Sequence, residues 1–231
     1  MKNCSVLIPI YDDYDSLVSL LELIDEDCKR VANFIIVDNG STDKRVRLLL
    51  EEKSFPYFSS EANLGFGGAV IFGAERVLTP WVAWMPGNLK VNPQDLSNYL
   101  KSFEFPPNTF VKANRVNRRR VDHLKTILAG LIQSSILGKN MIDTGGTPTI
   151  CEREFLISLK NPPSDFVFES FTLFAARSQK LSVIRPPFAY GQRKFGRSHW
   201  QRGPKSEMNL MVRIIRSCLT WRKLNQNFQE Q

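Results

Sequence analysis

The sequence contains no hydrophobic run long enough to cross a membrane. A spanning helix needs roughly 18 or more predominantly apolar residues in a row, and the 231 residues contain no such run. The first residues also lack the apolar segment of a secretory signal. Cysteine and histidine are scarce, at four and two residues, and no Cys-x-x-Cys spacing occurs. These absences predict a cytosolic protein with reduced core thiols and no structural zinc site.

Acidic residues are too few to balance the basic ones, and the formal net charge is +8. The excess lies in the second half, in clusters at 115–120, 193–205 and 213–223. Such a charge predicts an anionic partner: nucleic acid, an anionic membrane surface or a phosphorylated substrate. The sequence shows no recognised nucleic-acid module and no aromatic platform, so we do not expect nucleic acid to be that partner.

One stretch organises the rest of the chain. Residues 81–93 read WVAWMPGNLKVNP, which predicts a buried strand, an abrupt Pro-Gly stop, a polar loop and a helix opened by Pro93. Ligands of open α/β sheets bind outside the carboxyl ends of the strands, so this loop is a candidate site. It contains no acidic residue, which leaves a plain tight turn as the alternative.

The first half of the chain alternates short apolar runs with helical patterns. Residues 5–10 and 34–37 are typical of buried strands, and leucines at helical spacing lie between them. Strand, helix and strand at this spacing predict a right-handed parallel unit. The alternation continues to a strand at 109–113, so residues 4–113 are predicted to form one α/β domain.

Two loops of this half carry candidate functional residues. Asp38 follows the second strand directly, where ligand groups gather, although a loop or capping role is an equal alternative. Asp43 is positioned to cap the next helix. The glycine-rich segment 63–69 opens another helix, and its small residues suit either close packing or approach to a phosphate. We interpret them as packing residues.

The second half contains two helical stripes flanked by basic residues. The first comprises Leu124, Ile127, Leu128, Leu131 and Ile132, and the second Met211, Ile214, Ile215, Cys218 and Leu219, interleaved with Arg213, Arg216, Arg222 and Lys223. Such stripes usually face a protein core. Basic amphipathic helices also lie in membrane interfaces, so both interpretations stay open.

Three segments in order carry a resemblance to a known family. Residues 6–13 read VLIPIYDD, residues 36–43 read IVDNGSTD and residues 63–69 read NLGFGGA. Over about residues 4–200 the chain resembles the family 2 glycosyltransferases of the GT-A fold, and among them the dolichol-phosphate mannose synthase-like polyprenyl-phosphate sugar transferases. The resemblance implies an α/β fold, Rossmann-like, with a mostly parallel central sheet and helices on both faces.

The same resemblance implies a single domain, residues 1–231, whose parts have different functions. Residues 1–113 would form the nucleotide-sugar-binding half, 114–204 the acceptor half and 205–231 a basic amphipathic helix. Residues 193–200, RKFGRSHW, are similar to the family's R-x-x-G-x-S-K signature, whose Arg, Ser and Lys hold phosphates. His199 replaces the Lys here, which makes the charge at that position depend on pH.

One departure from the family lies in the organising stretch. The family's metal-binding D-x-D falls on Pro86-Gly87-Asn88, where both carboxylates are missing. A divalent ion prefers anionic oxygens, so Mg²⁺ or Mn²⁺ is a possible but weakened cofactor, with Asn88 as its one candidate ligand. Three explanations stay open: arginines such as Arg115 and Arg193 neutralise the donor diphosphate, metal binds weakly, or catalysis is lost.

We expect retained activity, with a sugar moved from a UDP- or GDP-linked donor to a polyprenyl phosphate with inversion. A lipid phosphate is already anionic near neutral pH and needs no carboxylate base. The implied site residues are Pro9, Tyr11, Asp13, Asp38, Gly65 and Asn88 for the nucleotide sugar, Arg115, Arg193, Ser198 and His199 for the phosphates, and Asn88, Arg193, Ser198 and His199 for catalysis. The basic stripes would dock the protein on the inner face of the membrane, with a membrane protein as a possible partner.

Two rival functions follow from the same residues. A family 2 transferase acting on a saccharide or glycolipid hydroxyl would need a base, for which Asp143 and Glu169 are the candidates. A non-catalytic GT-A module that binds a nucleotide sugar, lipid or partner subunit is favoured by the missing carboxylates.

Overall fold

The computed structural model describes residues 2–191 and 204–229, and within the final helix it describes the side chains of residues 208–223. Three residues assigned to phosphate binding on the resemblance, Arg193, Ser198 and His199, lie outside the described residues.

The described chain folds into alternating strands and helices. The strands are β1 Cys4–Ile10, β2 Asn33–Asp38, β3 Tyr57–Ser59, β4 Trp81–Trp84, β5 Thr109–Lys112, β6 Asn114–Val116, β7 Thr149–Glu152, β8 Ser182–Ile184 and β9 Pro187–Ala189. The helices are α1 Tyr14–Leu23, α2 Glu26–Val31, α3 Lys44–Glu52, α4 Gly65–Ala74, α5 Pro93–Ser102, α6 Arg120–Leu137, α7 Arg153–Ile157, α8 Phe168–Ser178 and α9 Pro204–Gln229.

Seven strands form the central sheet, in the order β3-β2-β1-β4-β7-β5-β8. β1 pairs in parallel with β2 and with β4, and β2 pairs in parallel with β3. β7 is inserted antiparallel between β4 and β5. A mostly parallel sheet with strands from both halves of the sequence confirms the predicted fold class, and β6 and β9 form a second, two-stranded parallel sheet.

Helices cover both faces of this sheet, and each face has its own hydrophobic core. Leu17 of α1 and Leu96 of α5 belong to the core on one side. Val70 of α4, Phe168 of α8 and Trp221 of α9 belong to the core on the other side. Burial on both faces explains why the parallel strands read as continuous apolar runs in the sequence.

The predicted helix starts agree with the structure. The side chain of Asp43 accepts a hydrogen bond from the backbone N–H of Arg45 at the start of α3. Asn92 caps α5 in the same way, and Pro93 is the first residue of that helix. Side-chain caps satisfy backbone donors that a helix start leaves unpaired, so these residues define where the helices begin.

The glycine-rich segment allows a distant part of the chain to lie against the start of α4. A Cβ on Gly65, whose φ is +75°, would lie 2.4 Å from the carbonyl oxygen of Ser164. A Cβ on Gly67 would lie 2.3 Å from the carbonyl oxygen of Pro163. Larger residues would push this backbone away, which agrees with our interpretation of the glycines as packing residues.

The two helical stripes of the second half differ in burial. On α9, Cys218 and Trp221 are buried, and the Trp221 ring stacks on Phe174 with centroids 5.7 Å apart. On α6, by contrast, Leu124, Leu128 and Leu131 are exposed. The α9 stripe is therefore partly a core face, whereas most of the α6 stripe is not. No helix in the described part of the chain is both long and apolar enough to span a membrane.

Candidate active site

A cavity of about 540 Å³ opens at the carboxyl ends of β1, β2 and β4. Its walls combine the loops after these strands, the start of α4, the loop before α8 and the first half of α9. The lining residues are Pro9, Ile10, Tyr11, Asp13, Asn39, Asn63, Gly65, Phe66, Pro86, Gly87, Asn88, Asp165, Phe166, Asn209, Leu210 and Arg213. The volume falls in the range of small-molecule sites, and the position is where open α/β sheets bind ligands.

Most of the predicted nucleotide-sugar residues meet at this cavity. Pro9, Tyr11, Asp13, Gly65 and Asn88 all line it. They come from three separate parts of the sequence, and the sheet brings them together because its parallel strands end at one edge. Their binding of a donor stays a prediction.

Asp38, the sixth predicted residue, does not line the cavity. It is only 1% exposed, and its carboxylate accepts hydrogen bonds from the Ser41 backbone N–H at 3.0 Å and the Ser59 hydroxyl at 2.8 Å. Arg47 lies 3.7 Å from the same carboxylate. Asp38 therefore fixes the loop beneath the wall, and its contact with a nucleotide stays a prediction.

Asn39, which the sequence prediction missed, lies on the wall instead. Its Nδ2 donates to Oδ1 of Asn63 at 3.1 Å, and its Oδ1 accepts from the backbone N–H of Leu64 at 2.9 Å. Asn39 therefore ties the loop after β2 to the loop that begins α4. The alternation of side chains along a strand explains the exchange, because neighbouring residues point to opposite sides.

The loop after β4 carries no metal-binding group of its own. Oδ1 of Asn88 accepts a hydrogen bond from the backbone N–H of Lys90 at 3.2 Å. Within the described residues, no cluster of three or more His, Cys, Asp or Glu side chains could hold a metal ion. A single neutral amide oxygen that already serves a turn does not fit a divalent cation, which prefers several anionic oxygen ligands.

A second group of charged residues surrounds Asp143, which does not line the cavity. Nε of Arg115 donates to Oδ1 of Asp143 at 2.7 Å and the Arg115 backbone N–H donates to Oδ2 at 3.1 Å. Nη2 of Arg115 also bonds Oδ1, while Arg118 and Arg185 lie 4.0 and 3.7 Å from the carboxylate. Burial raises the pKa of Asp143, but the Arg115 guanidinium outweighs it and the pKa is lowered.

Arg115 was predicted to hold phosphate, and the structure places it elsewhere. Its guanidinium is bound to Asp143 and lies 5.3 Å from the centre of the Tyr190 ring, outside the cavity lining. A guanidinium bound through two nitrogens to a buried carboxylate cannot reach another anion without breaking that pair. Arg115 is therefore a structural residue in this conformation.

Glu169, the second candidate base, is also engaged in the interior. Its carboxylate bonds the ammonium of Lys112 and accepts from Nε1 of Trp84 at 2.9 Å. Burial lowers the pKa of Lys112 in spite of the neighbouring carboxylate. Neither Asp143 nor Glu169 lines the cavity. The rival that transfers to a hydroxyl therefore loses both of the bases assigned to it.

Sequence reasoning also missed the contribution of α9 to the cavity. Asn209, Leu210 and Arg213 line it, and Arg213 forms an ion pair with Asp165, which lies on the opposing loop. The aromatic ring of Phe166 on that loop stacks on Phe66 at 4.9 Å between centroids. The sequence marked Arg213 only as one of several cations interleaved with an apolar stripe, which does not show what it faces.

Comparison with known proteins agrees with this geometry. Residues 5–158, more than half of the chain, match the family described as Glycosyl transferase family 2. The chain belongs to this family. The family 2 glycosyltransferase described here is 27% identical over 232 residues to an undecaprenyl-phosphate 4-deoxy-4-formamido-L-arabinose transferase of Serratia proteamaculans, with coverage of 95% of this chain and 68% of that protein. The protein of the same name from Photorhabdus laumondii is 27% identical over 233 residues, covering 95% and 69%.

Solved structures show the same fold. The glucosyl-3-phosphoglycerate synthase of Mycobacterium tuberculosis, crystallised with Mn²⁺ and UDP-glucose, superposes with a TM-score of 0.73 at 16% identity, covering 96% of this chain and 79% of that one. Its complex with Mg²⁺ and UDP superposes with a TM-score of 0.69 at 17% identity, covering 96% and 79%. Both complexes of that enzyme contain a divalent ion, whereas the described residues of this transferase offer no cluster of His, Cys, Asp or Glu side chains for one.

Proposed function

We propose that this family 2 glycosyltransferase moves a sugar from a UDP- or GDP-linked donor to a polyprenyl phosphate, with inversion at the sugar. The observation that carries the proposal is the cavity at the strand ends, where Pro9, Tyr11, Asp13, Gly65 and Asn88 meet. Relatives named for transfer to undecaprenyl phosphate, and a structural neighbour crystallised with UDP-glucose, support the donor and acceptor classes.

The walls of the cavity suit a nucleoside diphosphate sugar. Tyr11, Phe66 and Phe166 provide aromatic surface, and Asn39 and Asn63 provide polar groups close to the start of α4. Mostly apolar walls with a few fixed polar groups are usual for such ligands. The loop that carries Asn88 lies at the same cavity, so a donor lying across these walls would bring its diphosphate near the position of the missing carboxylates.

The two carboxylates considered as bases lie outside the cavity lining, which favours a phosphate acceptor over a hydroxyl. A lipid phosphate attacks with an oxygen that is already anionic, so the protein has to position it rather than remove a proton. A bond forms between this oxygen and the anomeric carbon as the bond to the donor diphosphate breaks, and the nucleoside diphosphate leaves with the electron pair. Arg193, Ser198 and His199 are the proposed holders of the acceptor phosphate.

An exposed apolar row on α6 supports docking on an anionic membrane surface, where such a lipid presents its head group. The row consists of Val121, Leu124, Leu128 and Leu131, each more than half exposed. The exposed cations Arg119, Arg120 and Lys125 lie on or beside the same helix. Apolar side chains beside cations fit the interface of an anionic bilayer. α6 packs against α9, whose first half lines the cavity.

A transfer assay tests the proposed reaction. Purified protein is incubated with UDP- and GDP-sugars and a polyprenyl phosphate, with and without Mg²⁺ or Mn²⁺, and the lipid fraction is analysed for glycolipid. We expect product with one donor class, and near-complete loss of product in Arg193→Ala with an unchanged unfolding midpoint. Nucleotide-sugar binding without product under any condition would favour the non-catalytic module, and turnover of Arg193→Ala at the wild-type rate would remove its assigned role.

A vesicle assay tests the docking surface. Leu128→Glu places a charge in the apolar row, whereas Leu48→Glu makes the same change on α3 at a leucine that is equally exposed, 62% against 61%. We expect Leu128→Glu to reduce co-sedimentation with phosphatidylglycerol vesicles about tenfold, because it removes apolar contact and adds repulsion. Leu48→Glu should bind as the wild type does. Equal binding by both variants, or self-association through the row in solution, would refute the membrane assignment.

A further inference from the structure

The cavity has to neutralise the negative charge of a donor diphosphate. A donor diphosphate carries at least two negative charges, and the loop that would hold a metal ion offers only the neutral Asn88. Within the part of the chain whose side chains are described, the cavity wall carries one cationic side chain, that of Arg213 on α9. We propose that Arg213 binds the donor diphosphate and takes over charge neutralisation that a metal ion would provide. This inference rests on the proposed function for the identity of the donor.

The fold fixes Arg213 in a suitable position. Further along α9, Cys218 is fully buried, and Trp221 stacks on the ring of Phe174 and packs at a tilt against that of Phe171. These contacts anchor the helix, and Arg213 lies about 7.5 Å along the helix axis from Cys218, at a rise of 1.5 Å per residue. Its own side chain is 59% exposed. The backbone is thus held by the core while the guanidinium remains accessible to a ligand.

The present partner of Arg213 is also held in place. Asp165 pairs with Arg213 and accepts a hydrogen bond from the Val167 backbone N–H at 2.8 Å. The preceding residues pack against Gly65 and Gly67 at the start of α4. Asp165 therefore competes with an anionic ligand for the guanidinium. Exposed ion pairs are weak. A diphosphate carries more negative charge than one carboxylate and binds a guanidinium in the same bidentate geometry, so exchange of partner is favoured.

The other arginines near the site are less suitable. Arg115 is bound through two side-chain nitrogens to Asp143, and Arg118 and Arg185 surround the same carboxylate. None of these three lines the cavity. Arg213 combines a position on the wall with an exposed side chain, and this combination assigns it to the diphosphate.

Binding measurements with truncated ligands separate this role from a structural one. Binding is measured for the wild type and four variants, in EDTA and in the absence of lipid. Calorimetry measures the affinity for UDP and GDP, and ligand-observed NMR measures the binding of uridine and guanosine. We expect Arg213→Ala to weaken binding of the diphosphate at least tenfold while nucleoside binding and the unfolding midpoint stay unchanged. Arg213→Lys should retain part of the affinity, because it keeps the charge but loses the bidentate geometry.

Two further variants serve as controls. Asp165→Asn breaks the same ion pair but keeps the guanidinium, so it should bind the diphosphate at least as tightly as the wild type. Arg222→Ala removes the same charge from an exposed position of α9 and should bind as the wild type does. Loss of affinity in Asp165→Asn equal to that in Arg213→Ala would identify the pair as a structural latch and overturn the inference.

The remaining outcomes distinguish the inference from the proposed reaction. Wild-type affinity in Arg213→Ala, or a wild-type protein that binds neither nucleotide with or without Mg²⁺, overturns it. Tight binding of the diphosphate that requires Mg²⁺ and is unchanged in Arg213→Ala overturns it as well. Diphosphate binding that depends on Arg213, together with no transfer to polyprenyl phosphate, sustains the inference and rejects the proposed acceptor.

Discussion

Two of the Asp–Arg arrangements in the described part of the chain differ in their surroundings. Asp143 is buried with Arg115, and Arg118 and Arg185 lie within 4.0 Å of its carboxylate. Asp165 pairs with Arg213 at the cavity, where the arginine side chain is 59% exposed. The first cluster joins β6, the segment after α6 and the segment after β8, whereas the second joins α9 to the loop before α8.

The difference shows how burial separates structural from available charge. A buried carboxylate and its guanidinium depend on each other, because either one alone would be an uncompensated charge in the interior. An exposed pair loses little when its partners separate, because water solvates both ions. Arg115 is therefore committed to the fold, and Arg213 is available to a ligand. Residue type and sequence position do not make this distinction.

The largest effect is expected from removal of the buried carboxylate. Asp143→Ala leaves three guanidinium groups close together without their counter-ion, which should lower the free energy of unfolding by about 3–5 kcal/mol. Arg213→Ala, which removes the exposed partner of the other pair, should lower it by less than about 1 kcal/mol. Urea denaturation followed by circular dichroism measures both. Similar losses in the two variants would remove the distinction drawn between the pairs.

An intermediate effect is expected where the loop of Asp165 meets α4. Gly65→Ala introduces a Cβ 2.4 Å from the Ser164 carbonyl oxygen at a φ of +75°, which should destabilise the protein by about 2 kcal/mol or more. Gly138 has a similar φ of +65° but open space around its Cβ position. Gly138→Ala should therefore cost only the backbone strain, about 1 kcal/mol. The difference between the two losses of unfolding free energy measures the close contact between α4 and the loop that carries Asp165. Equal losses would show that this contact is absent.

The smallest effect concerns acid sensitivity of the buried cluster. Burial raises the pKa of Asp143, yet the Arg115 guanidinium lowers it below 3.8, the ordinary value. A lowered folded-state pKa contributes stability that is complete above the unfolded pKa and is lost as the pH falls through the folded one. The free energies of unfolding of the wild type and Asp143→Asn are compared between pH 6 and about pH 2. The variant should be less stable than the wild type at pH 6, and this difference should disappear below about pH 4. A constant difference over this range would exclude the titration of Asp143 as its source.

Much of the fold could be predicted because local signals and tertiary packing agree. The apolar runs at 5–10 and 34–37 are adjacent parallel strands, Asp43 and Pro93 begin helices, and the glycines of 63–69 allow close packing. Each feature depends on neighbours within a few residues or on burial of a whole segment. The two helical stripes were less decisive, because periodicity identifies an apolar face without showing what covers it.

The position of the cavity agrees with the predicted candidate site, and the predicted residues line it only in part. Strand ends gather ligand groups in any parallel sheet, so the loops containing Tyr11 and Asn88 could be assigned from order along the chain. Asp38 and Asn39 differ by one position, and only the orientation of the strand end decides which of them reaches the cavity. The pairing of Arg115 with Asp143 could not be predicted, because the two residues are 28 positions apart in the sequence.

The sequence by itself determined the family, the parallel sheet, the edge at which the cavity opens and the absence of carboxylates from the loop after β4. These depend on local pattern and on residue identity. Only the tertiary structure decided which charges are buried together and which line the cavity. That choice depends on contacts between segments far apart in the chain, such as Asp165 with Arg213, since the strength of an ion pair depends on the surrounding solvent and packing.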